Sequence, residues 1–592
     1  MPLGSRMARA LKPTTYTIRY RRKMPGNALL YISSASASLG DALLGYSQGI
    51  TAAFQIQPAF IHRIYGKHVT YKQIMHATTG VQALQPAILI SSLSVTAIFA
   101  ALASAYISDG LGRRIAIRIG AMLYLIASAI QMIAPDLPIL IVGRSIQGLG
   151  AGILSTTVPV FQVEIAPAGA RGMLVGLEAL CMNAGYAAAA WVGYAFYMDA
   201  HAEHTWRGPF AVQAAISLVL IVWTFFLPES PRWLIQNGFT TEGLWTLADL
   251  HAHGDVTDEG VNQTYYAIVD TLEMEKEKAG DGGFAALLRY PRRTLIGLTG
   301  RMFAQLNGIN AVLHFLPEHL AEAGFRVHRA LFFAGCCSLL YSLGTLPAIL
   351  FIDKLGRRRF LIAGSVALAC SLVLVGCLQL YVDHWPRMLA YLGGARGVFI
   401  GMGMYLFFFG ATWGPVPWLL SAELYPLRMR AKGMSINAAS DWFLECVVGV
   451  ATPPLFSLLG GGYYLLLAGA CVLSGVAVWL AYVETGGRPL EAVGGIFGDG
   501  RVPPRKLELE DAVLQVRRRR VRGRSIVSMT SILIAALGSG NGASQVSLHP
   551  PAACGTSTAG SSQATLHLAA LEADDHVPSK RPKSVADTDS DM

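Results

Sequence analysis

The chain alternates between long runs without a charged residue and short knots of Arg, Lys, Asp and Glu. From Gly449 to Tyr482 there is no Asp, Glu, Lys or Arg, and Ala28 to Gly40 is equally bare. A helix crosses a bilayer with roughly 20 predominantly apolar residues. In lipid every backbone amide must pair inside a helix or a closed barrel, and these runs are too long for barrel strands. They read as spanning helices. Twelve are predicted, at 28–55, 82–107, 115–134, 138–163, 173–198, 209–228, 294–321, 328–352, 360–382, 389–424, 432–458 and 462–483.

The charged knots set the topology. Arg19, Arg21, Arg22 and Lys23 precede span 1; Arg113, Arg114 and Arg118 follow span 2; Arg171 follows span 4. Arg289, Arg292 and Arg293 precede span 7, Lys354 and Arg357 to Arg359 follow span 8, and Arg428, Arg430 and Lys432 follow span 10. All fall on one side, which the positive-inside bias makes cytoplasmic, with both termini there. Arg63, Lys67 and Lys72 run against that trend. The predicted organisation is a cytoplasmic N-terminal segment (1–27) without a cleaved signal peptide, a six-helix bundle (28–228) and a cytoplasmic linker with helical segments (229–293). A second six-helix bundle (294–485) and a cytoplasmic, largely disordered tail (486–592) complete it. Arg517 to Arg520, Arg522 and Arg524 in the tail read as a solvated charge run or as a contact for anionic inner-leaflet lipid.

Composition agrees. The chain is 53% hydrophobic and 14% charged, whereas a soluble domain carries about a quarter charged residues. Its net charge of +10 is spread over loops rather than gathered on one face, which argues against a nucleic-acid partner. Seven of the eight cysteines lie in predicted spans without zinc-ligand spacing, so they read as small core hydrophobes and no metal or other cofactor is expected. No nucleophile–base pair or phosphate loop points to an enzyme.

Three charged motifs occur twice. Asp109-Gly110-Leu111-Gly112-Arg113-Arg114 is matched by Asp353-Lys354-Leu355-Gly356-Arg357-Arg358. Glu164, Pro167, Arg171 and Gly172 are matched by Glu423, Pro426, Arg430 and Gly433. Glu229-Ser230-Pro231-Arg232 has a reduced counterpart in Glu484-Thr485-Gly486. Each second copy follows its first by about 250 residues, as expected of duplicated halves. The fold class is therefore an all-α membrane protein of two pseudo-symmetric six-helix bundles. Charges at a membrane boundary are costly unless paired, and Arg suits bidentate pairing with carboxylates. Bridges crossing between the halves would form a gate; bridges within a half would fix topology and cap helix ends.

With Arg144-x-x-x-Gly148-x-Gly150-x-Gly152, Gly308-Ile309-Asn310 and Trp413-Gly414-Pro415-Val416-Pro417-Trp418, residues 28–500 resemble the sugar porters of the major facilitator superfamily. The fungal hexose and quinate permeases are the nearest in character. The resemblance implies two bundles rocking about a central site at the bilayer midplane, carrying a monosaccharide or related polyol as a multi-pass plasma-membrane protein that works as a monomer. It groups Asp109, Arg113, Arg114, Arg144, Glu164, Arg171, Glu229, Arg232, Asp353, Arg357, Arg358, Glu423, Arg430 and Glu484 as gate or salt-bridge residues. Gly148, Gly150 and Gly152 sit in an apolar span without a preceding strand, so close helix packing suits them better than a dinucleotide loop.

The resemblance assigns substrate contacts to Gln305, Asn310, Trp418 and Trp442, with Gly414, Pro415 and Pro417 as a hinge. Other positions depart from the family pattern. Ala304 and Ala179 replace Gln, Tyr341 replaces Asn or Lys, His314 and Phe315 replace a Tyr pair, and Arg301 stands where Gln is common. Asp441 and Glu445 replace an Asn pair, fall on one helix face and join the expected substrate contacts. In span 1, Gly45-Tyr46-Ser47-Gln48-Gly49 has Ser where proton-coupled relatives resemble Gly-Tyr-Asp-x-Gly. Transport is expected to be facilitative. The alternatives are proton symport through Asp441 and Glu445, or through Asp41 or Glu178, and a non-transporting nutrient sensor of the same fold.

Overall fold

The computed structural model describes residues 26–65, 81–167, 169–198, 204–278, 284–384, 393–485 and 497. Lys67, Lys72, the Arg19–Lys23 cluster and the basic cluster of the tail lie outside them. The first six spans are α1 (Gly26–Gln55), α3 (Val81–Leu111), α4 (Arg113–Ile133), α5 (Leu137–Ile165), α6 (Arg171–Tyr197) and α7 (His204–Thr224), with a short α2 (Pro58–Ile64) after the first. The linker forms α8 (Pro231–Gln236), α9 (Thr240–His251) and α10 (Glu259–Lys278).

Eleven segments among the described residues are long and apolar enough to cross a membrane. Span 7 is the twelfth, and it is built differently. It is assembled from α11 (Pro291–Leu306), α12 (Ile309–Leu313) and α13 (Leu316–Glu322) rather than from the single helix expected at 294–321. The first break turns on Gly308, whose φ of 93° suits glycine and whose missing Cβ would meet Leu467 Cδ1 at 2.7 Å. The carbonyl freed at Asn307 accepts a hydrogen bond from the Tyr405 hydroxyl at 2.8 Å, so the irregular backbone is satisfied within protein.

The remaining spans are α14 (Val327–Leu355), α15 (Arg357–His384), α16 (Gly394–Ala411) with α17 (Pro415–Leu424), α18 (Arg430–Leu459) and α19 (Gly462–Ala481). Span 10 breaks between α16 and α17, at the Gly414-Pro415 step. Pro at the first helical position has no N–H to lose and restarts the helix there. Beside the break, Trp413 is locked in the core, its indole N–H donating to Ser365 Oγ at 3.0 Å.

Packing repeats between the halves. Span 1 packs on 5, 4 on both 2 and 3, and 3 on 6; correspondingly 7 packs on 11, 10 on both 8 and 9, and 9 on 12. The halves meet along two pairs, span 2 with 11 and span 5 with 8, which exchange under the pseudo-two-fold. Close approach demands the glycines of span 4. A Cβ on Gly148 would meet the Leu93 carbonyl at 2.2 Å, one on Gly152 the Ala97 carbonyl at 2.3 Å, and one on Gly150 the Gly120 carbonyl at 2.8 Å. These residues pack helix on helix.

The cysteines divide. Cys337 and Cys471 are buried, whereas Cys370 and Cys377 are exposed on span 9, so the expectation of core cysteines holds for only part of the set. In a membrane span an outward thiol meets lipid at little cost, because Cys is itself weakly polar.

Candidate functional site

The charged motifs converge at one end of the helices, here the motif end. Arg113 grips Glu164 with two nitrogens, Nε at 3.0 Å and Nη2 at 3.1 Å, and lies 3.3 Å from Asp109. Arg357 repeats this in the second half, with Glu423 at 3.2 Å and Asp353 at 2.9 Å. Arg113 Nη1 donates to the carbonyl five residues back, Ser108 at 3.0 Å, and Arg357 Nη1 does so to Ile352 at 3.3 Å. The duplication extends to single atoms.

The short bridges stay within each half. Contacts across the halves are longer, with Arg171 Nη1 4.0 Å from Glu423 and Arg430 Nη1 3.9 Å from Glu164. Asp353 also crosses, standing so close to the start of α6 that a Cβ on Gly172 would meet its carboxylate at 2.3 Å.

Glu229 and Glu484 do something else. Glu229 accepts from the backbone N–H of Arg113 at 2.9 Å, and Glu484 from those of Arg357 at 2.9 Å and Arg358 at 3.0 Å. Each caps the first turn of the helix that begins there, where free N–H groups and the helix dipole favour a carboxylate. Gly112 (φ 98°) and Gly356 (φ 90°) make room, since a Cβ would meet the carboxylate at 2.4 and 2.5 Å respectively. Burial pushes the Glu229 carboxyl above its ordinary value, against the hydrogen bond from Ser230 N–H and the pull of Arg114 and Arg113. Arg114 contributes its backbone N–H to Glu229 and Nη1 to the Leu227 carbonyl, and Arg232 donates to the Val163 and Glu164 carbonyls at the end of α5. Arg358 donates to the Trp479 carbonyl.

Arg144 departs from the expected grouping. It is 2% exposed inside the first bundle, and its Nη1 donates to Gln147 Oε1 at 3.3 Å; no carboxylate stands within 4 Å among the described residues. Ser47 instead shares a hydrogen bond with the Tyr124 hydroxyl at 3.3 Å. Ser at this position leaves span 1 without an acid to offer there.

Between the two ends lies a cavity of about 70 Å³ lined by both halves. From the second half come Arg301, Gln305, Asn310, Trp418, Asp441, Trp442 and Glu445; Asp41, Gln48, Ser155, Glu178 and Asn183 come from the first. Gln305 Nε2 donates to Asp441 Oδ1 at 3.0 Å, and Asn310 Nδ2 to Gln305 Oε1 at 2.9 Å. Asp441 also pairs with Arg301, whose guanidinium carbon lies 3.3 Å from the centroid of the Trp418 ring. Glu445 takes separate partners, His314 at 3.3 Å and Ser94 at 3.5 Å. At the end away from the motifs, Tyr186 donates to the Leu313 carbonyl at 2.7 Å, and Phe315 packs on Ile90 with its side chain fully buried.

A family described as sugar (and other) transporter matches residues 34–497. The MFS glucose transporter mfs1 of Aspergillus flavus is 30% identical over 444 residues, covering 72% of this chain and 83% of that one. High-affinity glucose transporter 1 of Candida albicans is 28% identical, covering 70% and 78%. The chain belongs to the sugar (and other) transporter family. Its fold matches that of the proton:xylose symporter XylE bound to 6-bromo-6-deoxy-D-glucose, with a TM-score of 0.69 at 23% identity over 80% of this chain and 100% of that one. Against the inward-open conformation of XylE from E. coli the TM-score is 0.60.

The transporter is thus a multi-pass integral membrane protein of the two-bundle fold, and not an enzyme. All six residues expected to contact substrate line one cavity. Trp442 does so with its polar edge engaged, its indole N–H donating to Ser155 across the halves at 3.0 Å. Sequence reasoning missed Ser155 and Asn183. Both are small polar residues in apolar spans, and only the three-dimensional pairing of spans turns them inward.

Proposed function

We propose that this transporter moves a neutral polar solute, a monosaccharide or related polyol, across the plasma membrane by alternating access and by facilitation. The observation carrying this reading is the wall of Gln305, Asn310 and Trp418 in a cavity lined by both halves. Amides supply donors and acceptors for hydroxyls, and an indole supplies a face for the apolar side of a sugar ring. Relatives named as glucose transporters share the family, and a proton:xylose symporter shares the fold. The motif end is cytoplasmic on this reading, with both termini there, and the protein works as a monomer. Facilitation is supported by Ser47, whose hydroxyl cannot ionise to carry a proton, and by the separate pairing of Asp441 with Arg301 and Glu445 with His314.

One observation favours proton coupling as a second reading. Asp41 and Glu178, two buried carboxyl groups, line the same cavity. Two carboxyl groups in one buried site do not readily ionise together, which suits one of them to holding a proton. Uptake of labelled D-glucose, D-xylose, sorbitol and quinate into proteoliposomes tests the reading: saturable uptake of a neutral sugar supports it, uptake of quinate alone overturns the substrate class, and no uptake favours a sensor.

A further inference from the structure

We propose that Arg301 is a built-in competitor for the solute, holding the Trp418 face and the Asp441 carboxylate until a sugar displaces it. This rests on the monosaccharide reading above. Arg301 belongs to α11, one turn before Gln305, and is 3% exposed. Its guanidinium carbon lies over the Trp418 ring, 3.3 Å from the centroid, while one nitrogen donates to Asp441. Gln305 holds the other oxygen of that carboxylate, and Asn310 holds Gln305. The side chain therefore occupies at once the aromatic face and the end of the amide relay that were assigned to a sugar ring. A planar cation on an aromatic face is a stable arrangement when shielded from water. The space left over, about 70 Å³, accommodates a few waters. It falls well short of the roughly 300–1,000 Å³ of ligand pockets, and Arg301 fills part of the missing room.

A displaced guanidinium needs another acceptor, because a buried charge stripped of its partner is costly. Glu178, on α6 of the opposite half, lines the same cavity as Arg301. Its Oε2 is buried without a hydrogen-bond partner. The arm thus has two resting places: Asp441, which blocks the site, and Glu178, which frees it. An apparent affinity is reduced by the fraction of molecules in which the site is blocked, so Arg301 sets the sugar affinity without contacting the bound sugar.

Removing Arg301 alone leaves Asp441 unpaired, so the test pairs Arg301→Gln with Asp441→Asn and uses Asp441→Asn alone as its reference. Two readouts are taken on the full chain. The first uses no sugar: Ala304→Cys, in the cavity wall, is labelled with methyl methanethiosulfonate and read by mass spectrometry at residue 304. The second is the D-glucose concentration for half-maximal uptake. Labelling about tenfold faster and a half-saturation about five- to tenfold lower in Arg301→Gln/Asp441→Asn are expected if Arg301 blocks the site. Unchanged labelling overturns the proposal. Faster labelling with weaker D-glucose uptake also overturns it, by making Arg301 a ligand of the sugar. Faster labelling with no D-glucose uptake in any variant upholds the blocking arm and removes the monosaccharide reading.

Discussion

Arg430 reaches to within 3.9 Å of the Glu164 carboxylate, which Arg113 of the opposite half already holds at 3.0 Å. One acid thus serves a tight bridge within its half and a looser one across the gap, and Glu423 repeats the pattern with Arg357 and Arg171. A long contact gives up less on separation than a short bidentate one, so the cross-half pairs are those that break when the motif end opens. Arg171→Ala or Arg430→Ala is expected to raise the labelling of cysteines engineered at the motif end severalfold. Labelling at the opposite end should fall, as it does when one of two states loses a stabilising contact. Equal labelling in variant and parent would leave these arginines outside the gate.

Glu164→Gln has a different expected effect. It strips a fully buried Arg113 of its bidentate partner, and breaking a buried pair in this way costs about 3–5 kcal/mol. The expected outcome is a lowered melting temperature and less folded protein in detergent, measured by thermal unfolding with size-exclusion recovery. A melting temperature equal to the parent's would show that Glu164 does not stabilise the bundle.

Trp418 is half-buried beside the span 10 break. Trp418→Ala is expected to weaken D-glucose uptake about tenfold in half-saturation, because burying the apolar side of a sugar ring against the indole is worth on the order of 1–2 kcal/mol. Membrane insertion and the elution profile should remain as in the parent. Unchanged affinity in the folded variant would make Trp418 a packing residue.

Outside the membrane-spanning segments, His251 at the end of α9 lies with Nε2 3.0 Å from the Ile165 carbonyl, the last residue of α5. Burial holds the imidazole below its ordinary value of 6.5; the carbonyl bond opposes this, and Arg232 adds to it. The docked linker therefore binds the proton less readily than the undocked one. Its docking is fully stable above the ordinary value and weakens as pH falls below it. Amide protection factors in α9, corrected for the intrinsic pH dependence of exchange, are expected to fall between about pH 7.5 and about pH 5.5, and His251→Gln should flatten that dependence. A profile that His251→Gln leaves unaltered would assign the effect elsewhere.

The spans were readable because an apolar run interrupted only at its ends has few interpretations in lipid. The paired motifs were readable because charges stand out in so apolar a chain. Span 7 was not readable as three pieces, since its break depends on the left-handed Gly308 and on a carbonyl capped by a tyrosine 98 residues away. Glu229 and Glu484 look like partners for Arg side chains, yet they take backbone N–H groups, because Gly112 and Gly356 let the carboxylate sit where a Cβ would be. Arg144 carries the family spacing, yet it donates to Gln147 inside the first bundle rather than joining the charged motifs. The stacking of Arg301 on Trp418 joins two spans with no local signal linking them.

The most direct test of facilitated sugar transport is the level to which labelled D-glucose rises in proteoliposomes with and without an imposed inward proton gradient. The account predicts faster approach to equilibrium than in protein-free vesicles, with the same final level, equal inside and out, in both conditions. Accumulation above the external concentration that appears only with the gradient, and is lost in Asp41→Asn, Glu178→Gln, Asp441→Asn or Glu445→Gln, would contradict it and identify the carboxyl group that carries the proton.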